Sequence, residues 1–313
     1  MSLTRRGAGL GLMAFAFTPA AAATPTPQVC FLTASRVMTM GLDGSGLRTL
    51  VSGAADGFND GIAYDPAGGR LYWTNMGRFS VDDGFIQSVR LDGSGLAMVV
   101  PPGGTFTPKQ LKIAGGQLYW SDREGMRVIR ANLDGSAIEV LVQTGSGEAD
   151  RRDPARWCVG IAVDPARGHV YWTQKGGDNA GQGVIKRAGL ALPRGRTAAD
   201  RDDIEVLFAG LPEPIDLELD PARRRLYWTD RGDNTVSRAP MDRPRGADPA
   251  GRTDRQVLVR GLREAIGIAL DSAARRMFYT SLGGEVGSAD ADGADARTLL
   301  QGQGEVTGIV VVS

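Results

Sequence analysis

The chain has 313 residues, of which 42% are hydrophobic and 23% are charged, with 36 basic and 36 acidic residues. This balance of charge gives no electrostatic reason to expect nucleic acid or an anionic membrane surface as a partner. A chain of this length can bury most of its unfolded surface in one core, and its 44 glycines supply the tight turns that an all-β protein requires.

The first residues have the pattern of an export signal. Arg5 and Arg6 precede a short apolar run and a series of alanines. We therefore predict a signal peptide over residues 1–23, removed on export from a bacterial cell, and a mature domain over residues 24–313. The arginine pair resembles a twin-arginine signal, with general secretion as the alternative route. No second apolar stretch is long enough to span a bilayer, so we expect a protein without a membrane span in the periplasm or outside the cell.

The mature region repeats one aromatic tetrad. Its copies begin 41, 47, 52, 56 and 51 residues apart and read Phe31-Leu32-Thr33-Ala34, Tyr72-Trp73-Thr74-Asn75, Tyr119-Trp120-Ser121-Asp122, Tyr171-Trp172-Thr173-Gln174, Tyr227-Trp228-Thr229-Asp230 and Phe278-Tyr279-Thr280-Ser281. The period is too long for a helical hairpin repeat, and it fits one four-stranded propeller blade per copy.

The unit around Tyr72 shows the order of elements within a blade. Short apolar or alternating segments predict strands, and the Asp-, Gly- and Pro-containing segments between them predict turns. The predicted strands cover residues 61–64, 70–74, 85–91 and 96–100, with a hairpin turn at residues 92–95.

The two ends of the mature chain complement each other. The first unit starts at a second strand, Phe31 to Ala34, whereas residues 308–313 have the pattern of a first strand with nothing after it. The C-terminal strand is therefore predicted to complete the N-terminal blade. We predict a six-bladed β-propeller with four antiparallel strands per blade, closed so that no sheet edge stays open around the ring.

The tetrad, an aspartate-containing turn before it and a Leu-Asp-Gly turn after it resemble the YWTD repeats of the low-density lipoprotein receptor class B family. The resemblance covers residues 28–313. It implies a six-bladed propeller that binds proteins or peptides, usually on the face that carries the loops between second and third strands. Asn75, Gln174 and Ser281 replace the final Asp of the tetrad, which leaves the hydrogen bonds of that Asp open at these copies.

Groups suited to catalysis are scarce. The single histidine, His169, lies where other units have Arg or Gln, which predicts a structural role. No nucleophile elbow, phosphate loop or dinucleotide fingerprint occurs, so no catalytic residue is predicted. Cys30 and Cys158 fall on opposite sides of the predicted ring. We expect two buried free thiols rather than a disulfide, since disulfide partners need neighbouring α-carbons.

Alignment of the units on the first strand predicts the residues at the mouth of the central channel. In ring order the column reads Glu305, Phe58, Thr107, Trp157, Glu213 and Glu264, and the next column but one adds Asp60 and Lys109. Three carboxylates on adjoining blades form a candidate site for Ca²⁺ or for a cationic side chain, or they are solvated acids at loop ends. We predict that Glu213, Glu264, Glu305, Phe58, Trp157, Asp60 and Lys109 bind the ligand, with the three glutamates as metal candidates and no other cofactor.

Two further features lie away from this mouth. Lys112 and Glu218 occupy channel positions where other blades place Ala, so they are predicted either to pair across the channel or to be bridged by water. Insertions at residues 190–203 and 240–255 lengthen two hairpins on the opposite face. We expect both insertions to be exposed and mobile, either as a secondary contact surface or without a role.

Two functional hypotheses follow. The first is a non-catalytic, monomeric binding or scaffold protein that recognises a protein, peptide or cell-envelope ligand on one propeller face. The alternative is a divalent-metal-dependent hydrolase, because gluconolactonase-like lactonases are also six-bladed propellers with a metal at the channel mouth. Those enzymes use Glu, Asn and Asp ligands, and Asn59 and Asp60 lie near the glutamate column in this sequence.

Overall fold

The computed structural model describes residues 26–53 and 57–313, so the predicted signal peptide lies outside the described residues. Within them, 24 strands form six four-stranded antiparallel sheets around a central channel, which confirms the predicted six-bladed propeller. The four strands predicted for the unit around Tyr72 are confirmed, each with its ends within two residues. No helix of the described residues is long and apolar enough to cross a membrane.

The first three blades follow the chain from the N-terminus, and the strands of each blade run in order from the channel outward. Blade 1 contains β24 (Val306–Val312), β1 (Gln28–Thr33), β2 (Arg36–Gly41) and β3 (Arg48–Val51); blade 2 contains β4 (Asn59–Asp65), β5 (Arg70–Asn75), β6 (Phe85–Arg90) and β7 (Ala97–Val100); blade 3 contains β8 (Pro108–Ala114), β9 (Gln117–Asp122), β10 (Arg127–Asn132) and β11 (Glu139–Gln143).

The remaining three blades carry the short helices and the two insertions. Blade 4 contains β12 (Cys158–Asp164), β13 (His169–Gln174), β14 (Gly183–Gly189) and β15 (Glu205–Leu211); blade 5 contains β16 (Pro214–Asp220), β17 (Arg225–Asp230), β18 (Thr235–Pro240) and β19 (Gln256–Val259); blade 6 contains β20 (Ala265–Asp271), β21 (Arg276–Ser281), β22 (Val286–Asp290) and β23 (Arg297–Leu300). A short helix α1 (Gly147–Arg151) and a 3₁₀ turn (Pro154–Arg156) connect blades 3 and 4, and a second 3₁₀ turn (Pro249–Gly251) lies in the blade 5 insertion.

The C-terminal strand closes the ring as predicted. β24 pairs antiparallel with β1, with Val312 opposite Gln28 and Ile309 opposite Phe31. A strand from one end of the chain therefore completes the blade begun at the other end. Because this pairing satisfies the inner edge of β1, blade 1 has the same four-stranded sheet as the other five blades.

The tryptophans of the tetrads fill the seams between blades. Trp73, Trp120, Trp172 and Trp228 are all fully buried. Trp228, for example, packs with Tyr171 and Phe208 of the preceding blade in one apolar cluster. Large aromatic side chains contribute much of the apolar area that a core removes from water, so the repeated tetrad explains why blades adhere to their neighbours.

In blades 2 to 6, the third residue of the tetrad joins its blade to the next by a buried hydroxyl. Thr74 Oγ1 accepts the N–H of Gly61 and donates to the carbonyl of Lys109 in blade 3, at 2.7 Å. The same donation reaches the following blade from Ser121, Thr173, Thr229 and Thr280. These bonds fix the inner strands against one another at the depth where the channel mouth begins.

The final residue of the tetrad holds the loop that enters the inner strand of its own blade. Asp122 Oδ1 accepts the N–H of Thr107 at 2.7 Å, and Asp230 Oδ1 accepts the N–H of Glu213 at 2.9 Å. The substituted copies differ from one another. Asn75 still accepts the N–H of Gly77, Gln174 instead donates to the carbonyl of Ala155, and the buried Ser281 hydroxyl has no partner.

The outer strands of neighbouring blades are held together by two different kinds of contact. In blade 3 the hairpin turn brings Gly135, at φ +82°, so close to blade 2 that a Cβ would lie 2.0 Å from the carbonyl oxygen of Val99. Only glycine tolerates both that approach and that φ. In blades 4 and 5 the insertions replace this contact with buried guanidinium groups, since Arg201 donates to the Leu141 carbonyl and Arg252 to the Leu207 carbonyl.

Both insertions are exposed over much of their length, as expected, and their mobility stays a prediction. Their bases, however, are anchored. Arg201 also binds Asp203 and the Gly189 carbonyl, and Arg252 also binds Asp254. Each insertion is thus held at its base to the outer strand of the preceding blade. The sequence showed only their polar composition, whereas the structure shows in each one arginine with a buried side chain that binds both an acid of its own insertion and a carbonyl of the preceding blade.

The two cysteines are free and buried, as predicted. Burial raises the pKa of both the Cys30 and the Cys158 thiol to about 12. Neither thiol is therefore an accessible thiolate at neutral pH. His169, at the start of β13, is half-buried and packs edge-on against Tyr171, away from the channel mouth.

Candidate ligand site at the channel mouth

A cavity of about 300 Å³ opens at the channel mouth, on the face that carries the loops between second and third strands. The second residue of each inner strand lines this cavity, so every blade contributes one side chain to its floor. In ring order from blade 1 these residues are Thr307, Asp60, Lys109, Val159, Ile215 and Ile266. The floor is therefore built from one equivalent position in each blade, and the side chains at these positions determine its polarity and charge.

The floor is divided into an apolar and a polar half. Val159, Ile215 and Ile266 come from blades 4 to 6 and form one buried apolar cluster, with Leu282 packed against it. Blades 1 to 3 contribute the hydroxyl, carboxylate and ammonium groups named above. A cavity with one apolar side and convergent polar groups on the other is typical of a ligand site.

A second column forms the wall of the cavity. It consists of the residue directly after the tetrad in blades 2 to 6, namely Met76, Arg123, Lys175, Arg231 and Leu282. Three adjoining blades, 3 to 5, thus direct a basic side chain toward the mouth. Lys109 and Arg78 also line the cavity, and Arg78 pairs with Asp83.

Two of the predicted glutamates meet through one of these basic residues. Arg231 contacts Glu264 at 2.9 Å and Glu213 at 3.3 Å. The buried Glu213 also accepts a hydrogen bond from Lys175 Nζ at 2.8 Å, whereas Glu264 is half-exposed. The structure therefore places both acids beside Arg231, outside the lining of the cavity, and gives each a cationic partner from the protein itself.

The third predicted glutamate is placed differently. Glu305 is exposed just before β24 begins and does not line the cavity. Among the described residues, no group of three or more His, Cys, Asp or Glu side chains is arranged to hold a metal ion. Ca²⁺ binding by Glu213, Glu264 and Glu305 stays a prediction.

The two predicted aromatic residues flank the cavity. Phe58 lines it directly. Trp157 lies at the rim, where the Arg123 guanidinium is 5.0 Å and Lys175 Nζ 5.7 Å from the ring centroids, within the range of cation–π attraction. Phe79, 78% exposed, lies 6.0 Å from the same guanidinium. The rim therefore offers aromatic area beside its basic groups.

The remaining predicted residues, Asp60 and Lys109, pair with each other. Asp60 also accepts a hydrogen bond from Gln110 at 2.9 Å. Burial lowers the pKa of the Lys109 ammonium, and the nearby Asp60 carboxylate opposes that shift. Asn59, which the hydrolase hypothesis needs as a ligand, is bonded to Asn75 and to the Thr33 carbonyl.

The opposite opening of the channel confirms the predicted ion pair. Lys112 Nζ lies 2.6 Å from Glu218 and 3.7 Å from the buried Asp216. Burial raises the pKa of Asp216 to about 7, against the opposing effect of Lys112. A small cavity of about 140 Å³ lies at this end, with Lys112 and Glu218 among its lining residues.

The basic wall is what the sequence interpretation missed. Alignment on the first strand selected the acids but not Arg123, Lys175 and Arg231. Alignment on the tetrad would have found all three, because each directly follows its tetrad. Arg231 is followed by Gly232 and Asp233; the Arg231 side chain turns to the mouth, whereas Asp233 pairs with Arg255.

Comparisons with known proteins agree with this architecture, although no protein-family model matches the chain. The chain is 44% identical over 291 residues to low-density lipoprotein receptor-related protein 1 of Pyricularia oryzae, which covers 88% of this chain and 92% of that protein. It is 36% identical over 297 residues to 3-hydroxyacyl-CoA dehydrogenase-like protein LAM1 of Cochliobolus heterostrophus. That match covers 91% of this chain but only 62% of the relative's length. Both organisms are fungi, so these relatives do not support the predicted bacterial origin.

Solved structures are similar in fold. A chain in a crystal structure of a nidogen/laminin complex matches 92% of this chain and 98% of its own length, with a TM-score of 0.71 and 20% identity. A gluconolactonase from Xanthomonas campestris matches 93% and 91%, with a TM-score of 0.59 and 18% identity. At these identities the likeness shows the propeller fold alone.

Proposed function

Because the chain belongs to the low-density lipoprotein receptor-related family of YWTD-type six-bladed β-propellers, we propose that it is a non-catalytic binding protein that recognises a protein or peptide at the channel mouth. The observation that carries the proposal is the composite cavity. Every blade contributes one residue to its floor, half of that floor is apolar, and aromatic and basic side chains surround it. Such mixed surfaces suit the anchoring side chains of a protein ligand.

The neighbouring propeller structure supports this proposal by analogy. The nidogen/laminin structure is that of a protein complex, and its propeller covers nearly the whole of this chain. The analogy concerns the architecture alone, so the position of the site rests on the cavity and its lining.

Selection from a random-peptide display library tests the proposal. The intact protein is compared with Leu282→Trp, which fills the mouth from its wall, and with Leu96→Trp, which adds the same bulk to an exposed turn on the opposite face. Melting curves establish that both variants fold. We expect the unaltered protein and Leu96→Trp to enrich a shared set of peptides, and Leu282→Trp to lose them.

Two results would overturn the proposed function. The first is no enrichment with the unaltered protein. The second is undiminished enrichment with a folded Leu282→Trp variant, since a ligand at the mouth cannot occupy space that the tryptophan fills.

We also propose that the protein is exported and monomeric. The signal-like pattern of residues 1–23 supports export. N-terminal sequencing of the protein recovered outside the producing cytoplasm should begin near residue 24, and light scattering should give the mass of one chain. A retained N-terminus on cytoplasmic protein would contradict export, and a dimer mass would contradict the monomer.

The hydrolase alternative requires a divalent ion at the same mouth. The proposal does not include it, because the carboxylates of Glu213, Glu264 and Asp60 are bound to basic side chains. Elemental analysis of the purified protein separates the two functions. One tightly bound divalent ion per chain would favour the hydrolase.

A further inference from the structure

We infer that the channel mouth selects an acidic segment of a partner protein, in which a carboxylate side chain stands next to an apolar one. The inference rests on the proposed function and names the ligand class of the same site. It reverses the charge that the sequence predicted, since the rim glutamates were expected to hold a basic ligand. The charge of the ligand depends on which charged groups face the cavity and which stand behind them.

Arg231 presents unused donors to the cavity. Its guanidinium has five N–H groups, and the ion pairs with Glu264 and Glu213 use Nε, Nη2 and Nη1 once each. Two N–H groups therefore have no partner among the described residues, on a side chain that lines the cavity and is 30% exposed. A guanidinium with two free N–H groups suits a carboxylate oxygen.

Lys175 and Arg123 extend this donor set along the wall. Lys175 Nζ bonds Asp178 at 2.7 Å and Glu213 at 2.8 Å, so within the described part of the chain one of its three N–H groups is unused. Arg123 bonds Glu124 through Nε and Nη2, which leaves Nη1 on a guanidinium beside the Trp157 ring. Blades 3, 4 and 5 thus place one partly unused basic group each on the same wall.

The acids that neutralise these groups stand mostly behind them. Glu213 and Glu124 are buried and do not line the cavity. Asp60 is the carboxylate that lines the cavity, and it lies buried in the floor, paired with Lys109. A ligand that enters along the basic wall therefore meets N–H donors before it meets this carboxylate. Glu264 and Asp178 are the exposed exceptions, at 46% and 79%, and they compete with a ligand carboxylate for Arg231 and Lys175.

The apolar half of the floor sets the second requirement. Val159, Ile215 and Ile266 lie on blades 4 to 6, so they adjoin the basic wall of blades 3 to 5. A small free anion would leave this surface in water. A peptide with an apolar side chain beside its acid would cover the surface and gain the free energy of its burial. A cavity of about 300 Å³ is at the small end of ligand pockets, so it fits one or two side chains of a larger partner.

The test uses the peptides that the unaltered protein enriches from the random library. We expect Asp or Glu at one fixed position, with an apolar residue next to it. Fluorescence anisotropy with the tightest labelled peptide, and with its acid changed to Gln or to Lys, then measures the contribution of the carboxylate. The acidic peptide should bind about tenfold or more tightly than its Gln counterpart, as for other hydrogen bonds to charged groups.

Two substitutions with opposite expected effects on affinity test whether Arg231 binds the carboxylate of the peptide. Arg231→Gln should weaken binding of the acidic peptide by about tenfold. Glu264→Gln removes the competitor for the same guanidinium, so it should tighten binding by up to about fivefold. Arg223→Gln is the matched control, because Arg223 is an exposed, ion-paired arginine of the same blade on the opposite face, and it should leave the affinity unchanged.

The outcomes separate this inference from the proposed function. If the enriched peptides are basic or neutral and Leu282→Trp still abolishes their enrichment, the inference is overturned and the proposed function stands. Acidic peptides whose affinity Arg231→Gln does not change, or that Glu264→Gln weakens, would also overturn the inference. No enrichment at all would remove the proposed function and the inference together.

Discussion

The two openings of the central channel are built from the same inner strands but use their charges differently. At the opposite opening, Lys112 and Glu218 reach from blade 3 and blade 5 to each other across the channel. At the mouth, Arg231, Lys175 and Arg123 pair with acids of their own or the next blade, along the rim. At the opposite opening, Glu218 lines the same cavity as its cation Lys112, whereas at the mouth the buried acids Glu213 and Glu124 lie behind basic side chains that line the cavity.

This difference predicts that the charged residues near the opposite opening stabilise the fold, whereas those at the mouth contribute mainly to ligand binding. Asp216, near the opposite opening, is buried and depends on Lys112 for its only ionic partner among the described residues. Loss of that partner leaves a buried carboxylate, which costs several kcal/mol. Glu264, at the mouth, is half-exposed and can be hydrated, so loss of Arg231 should affect affinity more than stability.

The largest effect is expected from deletion of residues 308–313, which removes most of β24. This strand contributes to both openings and completes blade 1. We expect the truncated protein to lose cooperative unfolding or to aggregate, because two sheet edges and the adjoining seam become exposed. A truncated protein that stays monomeric with an unchanged melting temperature would contradict the closure of the ring.

Lys112→Met should cause the next largest effect. It leaves Asp216 and Glu218 without their cation, and the free energy of unfolding should fall by about 3–5 kcal/mol at pH 8, as for other broken buried pairs. Urea denaturation followed by circular dichroism measures this change. The double variant with Glu218→Gln removes one of the two unpaired acids, so it should be less destabilised than Lys112→Met alone. Equal losses would mean that the pair is not coupled.

The raised pKa of Asp216 predicts how stability depends on pH. Its pKa is about 7 in the folded protein and near 3.8 in the unfolded chain, so the unfolded state releases the proton first as pH rises. The contribution of Asp216 to the free energy of unfolding should therefore fall by up to about 4 kcal/mol between pH 4 and pH 7. Asp216→Asn should flatten this part of the stability profile. A profile of the same slope in both proteins would refute the shift.

Arg231→Gln should have the smallest effect on folding. Its partners are the half-exposed Glu264 and the Glu213 carboxylate that Lys175 still binds, so we expect a loss of less than about 1 kcal/mol. Urea denaturation under the conditions used for Lys112→Met gives a direct comparison of the two openings. A loss as large as that of Lys112→Met would mean that the mouth charges are structural too.

The sequence predicted the fold well because the repeat reports the same local pattern in every blade. The tetrads, the turns between strands and the complementary chain ends were enough to predict β24 beside β1. The hydroxyl bridges from Thr74, Thr173 and Thr229 were not predicted, because they join residues of neighbouring blades. The arginine anchors of the two insertions were missed for the same reason, since composition does not show which guanidinium is buried.

The site was predicted only in part. Alignment of the units on the first strand selected Phe58, Asp60 and Lys109, which line the cavity at the channel mouth. It did not show which partner neutralises each acid, because side-chain pairing depends on three neighbouring blades at once. Glu213 and Glu264 therefore looked like free acids in the sequence, whereas in the structure Arg231 lies between them and leads to the opposite expectation for the charge of the ligand.

Methyl NMR spectroscopy of the intact protein tests most directly the claim that one opening binds and the other does not. The tightest library peptide is added while the methyl groups of Val159, Ile215 and Ile266 at the mouth and of Ile113 and Val163 at the opposite opening are observed together. We predict shift changes at the three mouth residues and none at Ile113 and Val163. Changes confined to Ile113 and Val163, with the mouth residues unaffected, would contradict the account.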